Sequence, residues 1–251
     1  MTELAERISQ NIAQVKARME RAFLSARRSP SGARLVVVTK AQPIDTVEAA
    51  LQAGAEILGE NYPEESLAKI EALKPHYAAE WHMIGHLQSR KAGIVASHFD
   101  VFQSLDRLEI ARKLDSLLAG SGRRMPVLVE FNTGGESSKA GWDAADETGW
   151  PELLEQVRQI QQFPHLEVRG LMTMPPLFEQ ADLARPFFAR LRTLRDFLEG
   201  NLPGVHLAEL SMGTSSDFEA AIQEGATLVR IGTAILGPRP ARVDPINRDI
   251  I

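Results

Sequence analysis

Short apolar runs alternate along the chain with longer stretches in which apolar residues recur every three or four positions. Runs rich in Val, Ile and Leu are typical of buried strands, and the longer period is typical of amphipathic helices. The pattern predicts a first helix over Leu4–Phe23, ended by the residues 29–32, and then eight strands. The predicted strands cover residues 35–39, 56–59, 80–85, 101–104, 126–131, 166–171, 206–211 and 227–231.

Each predicted strand but the last is followed by a helical pattern before the next strand begins. The predicted helices cover residues 44–53, 60–73, 89–97, 107–119, 150–161, 183–198 and 217–224. This alternation, without a break in composition, favours an α/β fold: one (β/α)8 TIM barrel over residues 1–251 with an extra N-terminal helix. An open doubly wound sheet is the alternative, because strand order cannot be read from the sequence.

Composition narrows the class of protein. With 251 residues, 44% apolar and 24% charged, the chain is typical of a globular domain. A net charge of −5 gives no reason to expect a nucleic-acid or membrane partner. The absence of cysteine excludes disulfides and thiolate sites. No signal peptide and no apolar run of about 18 residues is present, so we expect a cytoplasmic protein. We separately expect it to be a monomer.

Polar residues cluster where the predicted strands end, which is where barrel enzymes place their chemistry. Lys40 ends the first strand and Asn61 follows the second, while His82 lies in the third. A lysine at such a strand end is either a reactive amine or a residue that solvates the strand. His82, between Trp81 and Met83, is either a pocket residue or a hydrogen-bonded core histidine. The six histidines show no convincing metal-ligand spacing, so no metal site is expected.

Two segments near the C-terminus fit a phosphate site. Ser215 and Ser216 are expected at the start of a helix, where free N–H groups favour an anion. Gly232 and Thr233 follow the eighth strand, and glycine lets the backbone approach a phosphate closely. Each segment alone could be only a helix cap or a turn. Together they lie after strands seven and eight, where such barrels often bind phosphate.

A lysine opposite a phosphate site suggests pyridoxal 5′-phosphate (PLP), held as a Schiff base. The cofactor needs a partner for its ring nitrogen, and Arg230 at the end of the eighth strand is placed to supply one. Because arginine stays charged, it disfavours protonation of the ring nitrogen and weakens the ring as an electron sink. The predicted site therefore suits a tether better than a strong catalyst.

Motifs spread in order from about Leu4 to Gly237 carry a resemblance to a known family. They are the lysine strand, GENY at 59–62, WHMIGHLQ at 81–88, RGLM at 169–172, LSMG at 210–213 and VRIGTAILG at 229–237. In these motifs the chain resembles the pyridoxal phosphate homeostasis protein family, which is similar to the N-terminal barrel of alanine racemase.

The resemblance implies that Lys40 carries PLP and that Arg230 faces its ring nitrogen. It further implies a phosphate site of Ser215, Gly232 and Thr233, and a pocket lined also by Asn61, His82 and Ser211. The chain departs from the family pattern next to the lysine, where Ala41 and Gln42 replace Thr and Lys, and at Arg90 and Thr214. Lys139 keeps the family's Ser-Lys-x-Gly and is a second lysine candidate.

Three functions are compatible with these residues. The first is a non-enzymatic PLP-binding protein of vitamin B6 homeostasis that buffers the cofactor or delivers it to apo-enzymes. The second is a racemase-like PLP enzyme for a small amino acid. We expect it less, because the sequence ends at Ile251 without racemase's second domain, and neither Tyr62 nor Tyr77 is placed as its base. The third is a phosphate-binding barrel enzyme without a cofactor.

Overall fold

The chain begins with the long helix that the apolar spacing predicts. In the computed structural model, which describes residues 2–29 and 32–239, α1 spans Glu3–Ser25. The hydroxyl of Thr2 caps it by accepting a hydrogen bond from the Ala5 N–H at 3.2 Å. Of the residues expected to end the helix, Pro30 and Ser31 lie outside the described residues.

Eight parallel strands follow α1, as the sequence predicts. They are β1 Arg34–Val38, β2 Ile57–Glu60, β3 Glu80–Met83, β4 Val101–Leu105, β5 Met125–Asn132, β6 Leu166–Met172, β7 Glu209–Ser211 and β8 Leu228–Ile231. Consecutive strands pair side by side, and β8 pairs with β1, with Val36 opposite Arg230. The sheet is therefore a closed barrel, which confirms the predicted TIM barrel and excludes the open sheet.

Helices surround the barrel. They are α2 Ile44–Gln52, α3 Pro63–Leu73, α4 Ala92–His98, α5 Leu108–Ala119, α6 Trp150–Gln161, α7 Arg185–Asn201, α8 Phe218–Gln223 and α9 Thr233–Leu236. Helix α9 has only four residues, and α1 packs against α8, α2 and α9. An ion pair at 2.7 Å between Arg18 and Glu219 joins α1 to α8. The N-terminal helix thus fills the position of a full-length eighth barrel helix.

Three local expectations differ from the structure. Strand β7 begins at Glu209 and not near residue 206, because the Leu207 N–H donates to the Glu199 side chain at 2.6 Å instead of joining the sheet. The loop after β5 contains a two-residue strand, Trp142–Asp143, that pairs with the end of β5. Two residues are too few to give an alternation pattern. The helices predicted over 89–97 and 183–198 each begin with a 3-10 turn.

The barrel interior combines a small apolar cluster with buried polar groups. The apolar cluster consists of Val36, Ile57, Leu128, Met172 and Leu228. His82, Gln103, Ser211 and Arg230 are also buried. Buried polar groups need hydrogen-bond partners, so this interior must contain an ordered network.

Two further predictions concern the whole chain: that it has no membrane-spanning segment and that it forms a single domain. No helix in the described part of the chain combines the length and the apolar character that a bilayer crossing requires. Because residues 240–251 lie outside the described residues, the single domain over residues 1–251 stays a prediction.

Candidate functional site

A cavity of about 530 Å³ opens at the carboxyl ends of the barrel strands. Its volume lies within the usual range for small-molecule sites, about 300–1,000 Å³. Six residues predicted from the sequence line it: Lys40, Asn61, Ser215, Arg230, Gly232 and Thr233. A second cavity, of about 540 Å³, lies between α1 and the starts of β1 and β2, and none of the predicted site residues lines it. We therefore place the candidate site at the strand ends.

Lys40 lies two residues after the end of β1 and is held by an unusual turn. The next residue, Ala41, has a φ of 56°, a left-handed conformation that is uncommon for residues other than glycine. The Ala41 N–H donates to Glu65 on α3 at 2.8 Å, which fixes this turn. Burial, together with the charges of Arg239 and Arg230, lowers the pKa of the Lys40 amine. A lowered pKa leaves more of the amine neutral, which is its nucleophilic form.

A buried ion pair between Lys69 and Glu60 contacts the backbone just after β1. Lys69 donates to Glu60 at 3.0 Å and to the carbonyl of Thr39 at 3.3 Å, and the Thr39 hydroxyl also donates to Glu60 at 2.8 Å. The side chain of Glu60 is fully buried and that of Lys69 is 7% exposed. Burial raises the pKa of Glu60, although the Lys69 ammonium opposes this effect. Neither residue lines the cavity, so the pair positions Lys40 without taking part in the site.

Asn61 follows β2, and a glycine on the neighbouring strand end determines its position. A Cβ atom at Gly85 would lie 2.6 Å from the Asn61 carbonyl oxygen, so only glycine permits this approach. The side-chain oxygen of Asn61 is buried and has no hydrogen-bond partner among the described residues. An unsatisfied buried polar atom beside a cavity is consistent with a site that a ligand completes.

The turn after β7 brings Thr214 and Ser215 to the cavity. Gly213 makes this turn possible with a φ of 93°, where a side chain would also meet Ala221 at 2.5 Å. Asp217 accepts hydrogen bonds from the backbone N–H and the hydroxyl of Thr214, at 2.6 and 2.9 Å. Helix α8 begins only at Phe218, so the expectation that Ser215 starts a helix is corrected. Ser215 lies in the preceding turn, because the Asp217 side chain closes a loop there and does not cap the helix.

Arg230 lies on β8 and is 3% exposed. It donates to the Ser211 hydroxyl at 2.5 Å, to the Thr173 carbonyl at 2.9 Å and to the Met174 sulfur at 2.7 Å. Burial lowers its pKa to about 10, so it stays charged at neutral pH. Gly232 and Thr233 follow at the start of α9, whose first N–H groups have no acceptor within the helix.

His82 and Ser211, which were expected to line the pocket, are absent from the lining. Both side chains are fully buried in the barrel interior. Ser211 contacts Arg230, and His82 is linked to Ser211 through Gln103. The expectation that His82 and Ser211 line the pocket is therefore corrected. Side chains on a barrel strand alternate between interior and exterior, and these two point into the interior, on the side of Arg230 away from the cavity.

Sequence reasoning missed Glu130 and Arg239, which also line the cavity. Glu130 is 6% exposed. Burial raises its pKa to about 7, and the negative charge of Asp106 adds to this increase. A signal for Glu130 was present, since it is the one charged residue within the apolar run PVLVEF. Arg239 follows the barrel in a Gly-Pro-Arg-Pro segment that has no recognisable pattern.

The charges in the cavity fit an anionic ligand, and the Lys40 amine fits a ligand that bears an aldehyde. Its lining contains three strong cations, Lys40, Arg230 and Arg239, and one carboxyl, Glu130. A phosphate would therefore gain favourable electrostatic interaction, and the neutral form of the Lys40 amine could add to a carbonyl. No cluster of three or more acidic, histidine or cysteine ligands occurs in residues 2–29 and 32–239. The residues present fit PLP in charge, volume and amine chemistry.

The chain is similar to known proteins in both sequence and structure. Residues 5–240 match the family model of the alanine racemase N-terminal domain. The chain is 38% identical to the pyridoxal phosphate homeostasis protein of Pasteurella multocida, covering 92% of this chain and 97% of that one. It is 41% identical to the protein of the same name from Pseudomonas aeruginosa, covering 92% and 96%. The structure of PipY from Synechococcus elongatus with PLP bound is similar at a TM-score of 0.77, with 33% identity and coverage of 92% and 100%.

Proposed function

Since the chain belongs to the pyridoxal phosphate homeostasis protein family, with its alanine racemase N-terminal domain, we propose that it binds PLP in the strand-end cavity. Its role would be vitamin B6 homeostasis, in which it buffers the cofactor or delivers it to apo-enzymes. The observation that carries the proposal is that Lys40, Arg230 and the Ser215 turn line one cavity. These residues are far apart in sequence and are brought together only by closure of the barrel.

Lys40 is the proposed attachment residue. Bound PLP supplies an aldehyde, with which the Nζ atom of Lys40 would form a reversible Schiff base and release one water. Burial and the nearby arginines favour the neutral amine needed for this addition. The same neutral amine is regenerated when water reverses the linkage, so attachment and release use one residue.

The remaining lining residues are proposed to hold and orient the cofactor. Ser215, Gly232 and Thr233 would hold the phosphate with hydroxyl and backbone N–H groups, and Arg239 adds positive charge to the same cavity. Arg230 would donate to the ring nitrogen. Three of its five N–H groups donate to Ser211, Thr173 and Met174. Because Arg230 donates and does not accept, it would keep the ring nitrogen unprotonated.

The visible spectrum of the purified protein tests this proposal. We expect added PLP to give the absorption band of a protonated Schiff base, and borohydride to abolish that band by reducing the linkage. Lys40→Ala should bind PLP without this band, whereas Lys139→Ala, the matched control in the family's second lysine position, should keep it. A band that survives Lys40→Ala would refute the covalent assignment.

One observation favours a second candidate function, a racemase-like PLP enzyme. Glu130 lines the same cavity as Lys40, and its pKa of about 7 would let it exchange a proton near neutral pH. Neither Tyr62 nor Tyr77 lines the cavity. Incubating the PLP-loaded protein with individual amino acids in D₂O distinguishes the two functions. Exchange of the α-proton at enzyme-like rates would overturn the carrier proposal, and its absence would support it.

We also propose that the protein acts in the cytoplasm as a monomer and releases PLP to apo-enzymes. Reversible attachment at Lys40 is what makes such delivery feasible. The test is to mix the PLP-loaded protein with an apo-enzyme in the presence of a scavenger of free PLP. Faster reactivation than free PLP allows would support delivery, and reactivation at the rate of free release would refute it. Light scattering of the same sample gives the oligomeric state.

A further inference from the structure

A chain of buried hydrogen bonds crosses the barrel interior from its amino-terminal end to the cavity. Glu80, half-exposed at the start of β3, lies 2.9 Å from the Nε2 atom of His82. The Nδ1 atom of His82 lies 2.6 Å from Nε2 of Gln103 on β4. Oε1 of Gln103 lies 2.7 Å from the Ser211 hydroxyl, which accepts from Arg230 at 2.5 Å. We call these five residues the barrel relay.

The two ends of the barrel relay determine the direction of every hydrogen bond within it. Arg230 can only donate, so the Ser211 oxygen accepts and its proton is free to point to Oε1 of Gln103. The amide nitrogen of Gln103 then donates to Nδ1 of His82, which must be unprotonated. The remaining proton of His82 is on Nε2 and is donated to Glu80. This hydrogen bond lowers the pKa of Glu80, so the acceptor is a carboxylate.

From this geometry we propose that His82 is a positioning residue for Arg230, acting in its neutral, Nε2-protonated form through Gln103 and Ser211. None of the three residues that connect Glu80 to Arg230 lines the cavity, yet together they fix one amino group of the guanidinium. The function of the relay in cofactor binding rests on the proposed function, in which Arg230 faces the PLP ring. The proton arrangement of His82 does not depend on it.

The relay accounts for polar residues that the site itself does not use. If His82 carried its proton on Nδ1, the amide of Gln103 would have to rotate to accept it. The amide nitrogen would then face Ser211, whose oxygen already accepts from Arg230 and whose own proton would lose its acceptor. A buried polar group without a partner is costly, so the rotated arrangement would displace Arg230. The orientation of Arg230 is therefore coupled to Glu80, which lies at the other end of the barrel.

Substitution of Glu80 tests this coupling without altering the cavity. Glu80→Leu removes the acceptor of the His82 proton, whereas Glu80→Gln keeps an oxygen that can accept it. We expect Glu80→Leu to weaken PLP binding about two- to tenfold, the effect of one hydrogen bond, and to shift the absorption band of bound PLP. Glu80→Gln should retain wild-type affinity and band. Arg34→Met is the matched control, since Arg34 lies 3.6 Å from Glu80 and its loss leaves the relay intact.

A measurement on the ligand-free protein separates this proposal from the proposed function. The ¹⁵N spectrum of the His82 ring should show a neutral imidazole with the proton on Nε2 in the wild type, and Glu80→Leu should alter it. A proton on Nδ1, or on both nitrogens, in the wild type would overturn the relay. Wild-type PLP affinity and band in Glu80→Leu would also overturn it. If no variant, the wild type included, binds PLP, the proposed function fails and the ring spectrum alone decides the relay.

Discussion

The buried carboxyl of Glu130 should make the stability of the ligand-free protein depend on pH in a way that one substitution removes. Its pKa is raised from 4.5 to about 7, chiefly because burial disfavours the charged form. A group whose pKa is higher in the folded state stabilises the fold fully below its unfolded pKa. That contribution is lost as the pH rises through the folded pKa. Glu130 should therefore destabilise the protein progressively between about pH 4.5 and pH 7.

The size of the effect follows from the two pKa values. Each tenfold change in proton affinity is worth about 1.4 kcal/mol, so full ionisation of Glu130 costs about 3–4 kcal/mol. Glu130→Gln keeps the shape of the side chain and cannot ionise. We expect the variant to match the wild type near pH 4 and to exceed its free energy of unfolding by about 3–4 kcal/mol near pH 8.5.

Urea unfolding of both proteins at the two pH values measures this difference. Because other groups titrate in both proteins, the difference between them isolates Glu130. Glu152→Gln, at an exposed position on α6, is the matched control and should show no such pH-dependent difference. If Glu130→Gln and the wild type differ by the same amount at both pH values, the carboxyl is not buried as the structure places it, and the reasoning fails.

Three further predictions concern the support of the site. Lys69→Met should lower the free energy of unfolding by about 3–5 kcal/mol in denaturant melts, because it leaves the buried charge of Glu60 unpaired; a loss below 1 kcal/mol would contradict this. Gly85→Ala should cost about 1–3 kcal/mol and weaken PLP binding, since its Cβ would lie 2.6 Å from a backbone oxygen. Gly93→Ala, where a Cβ meets nothing within 4 Å, should be harmless; equal losses in the two would refute the argument. Arg230→Ala should fold but weaken PLP binding about ten- to hundredfold and shift its spectrum, as loss of a charged hydrogen bond requires; an unchanged titration would show that Arg230 does not contact the ring.

Much of the barrel could be predicted because each strand and helix has its own local signal. The run of valines before Lys40 identifies a buried strand, and the position of Arg230 at the end of another follows in the same way. Once the strands are parallel and the sheet is closed, their carboxyl ends must meet at one face. Six of the predicted residues could therefore be placed around one cavity from periodicity, fold and family resemblance together.

The barrel relay could not be predicted, because its contacts join residues that are distant in sequence. Gln103 and Ser211 are 108 residues apart, and nothing near either residue indicates the other. For the same reason, His82 could not be assigned to the cavity or to the interior from its neighbours. Glu130 was in principle detectable as a charge within an apolar strand, but its raised pKa depends on burial that only the fold provides.

The most direct test of the central claim is to identify the residue that PLP modifies. The purified protein is loaded with PLP, reduced with borohydride, digested and mapped by mass spectrometry, alongside Lys40→Ala treated in the same way. We predict a single pyridoxyl group on the peptide that contains Lys40 and none on the corresponding peptide of the variant. Modification of Lys139 or Lys69 with Lys40 unmodified, or no modification of the wild type at all, would contradict the account.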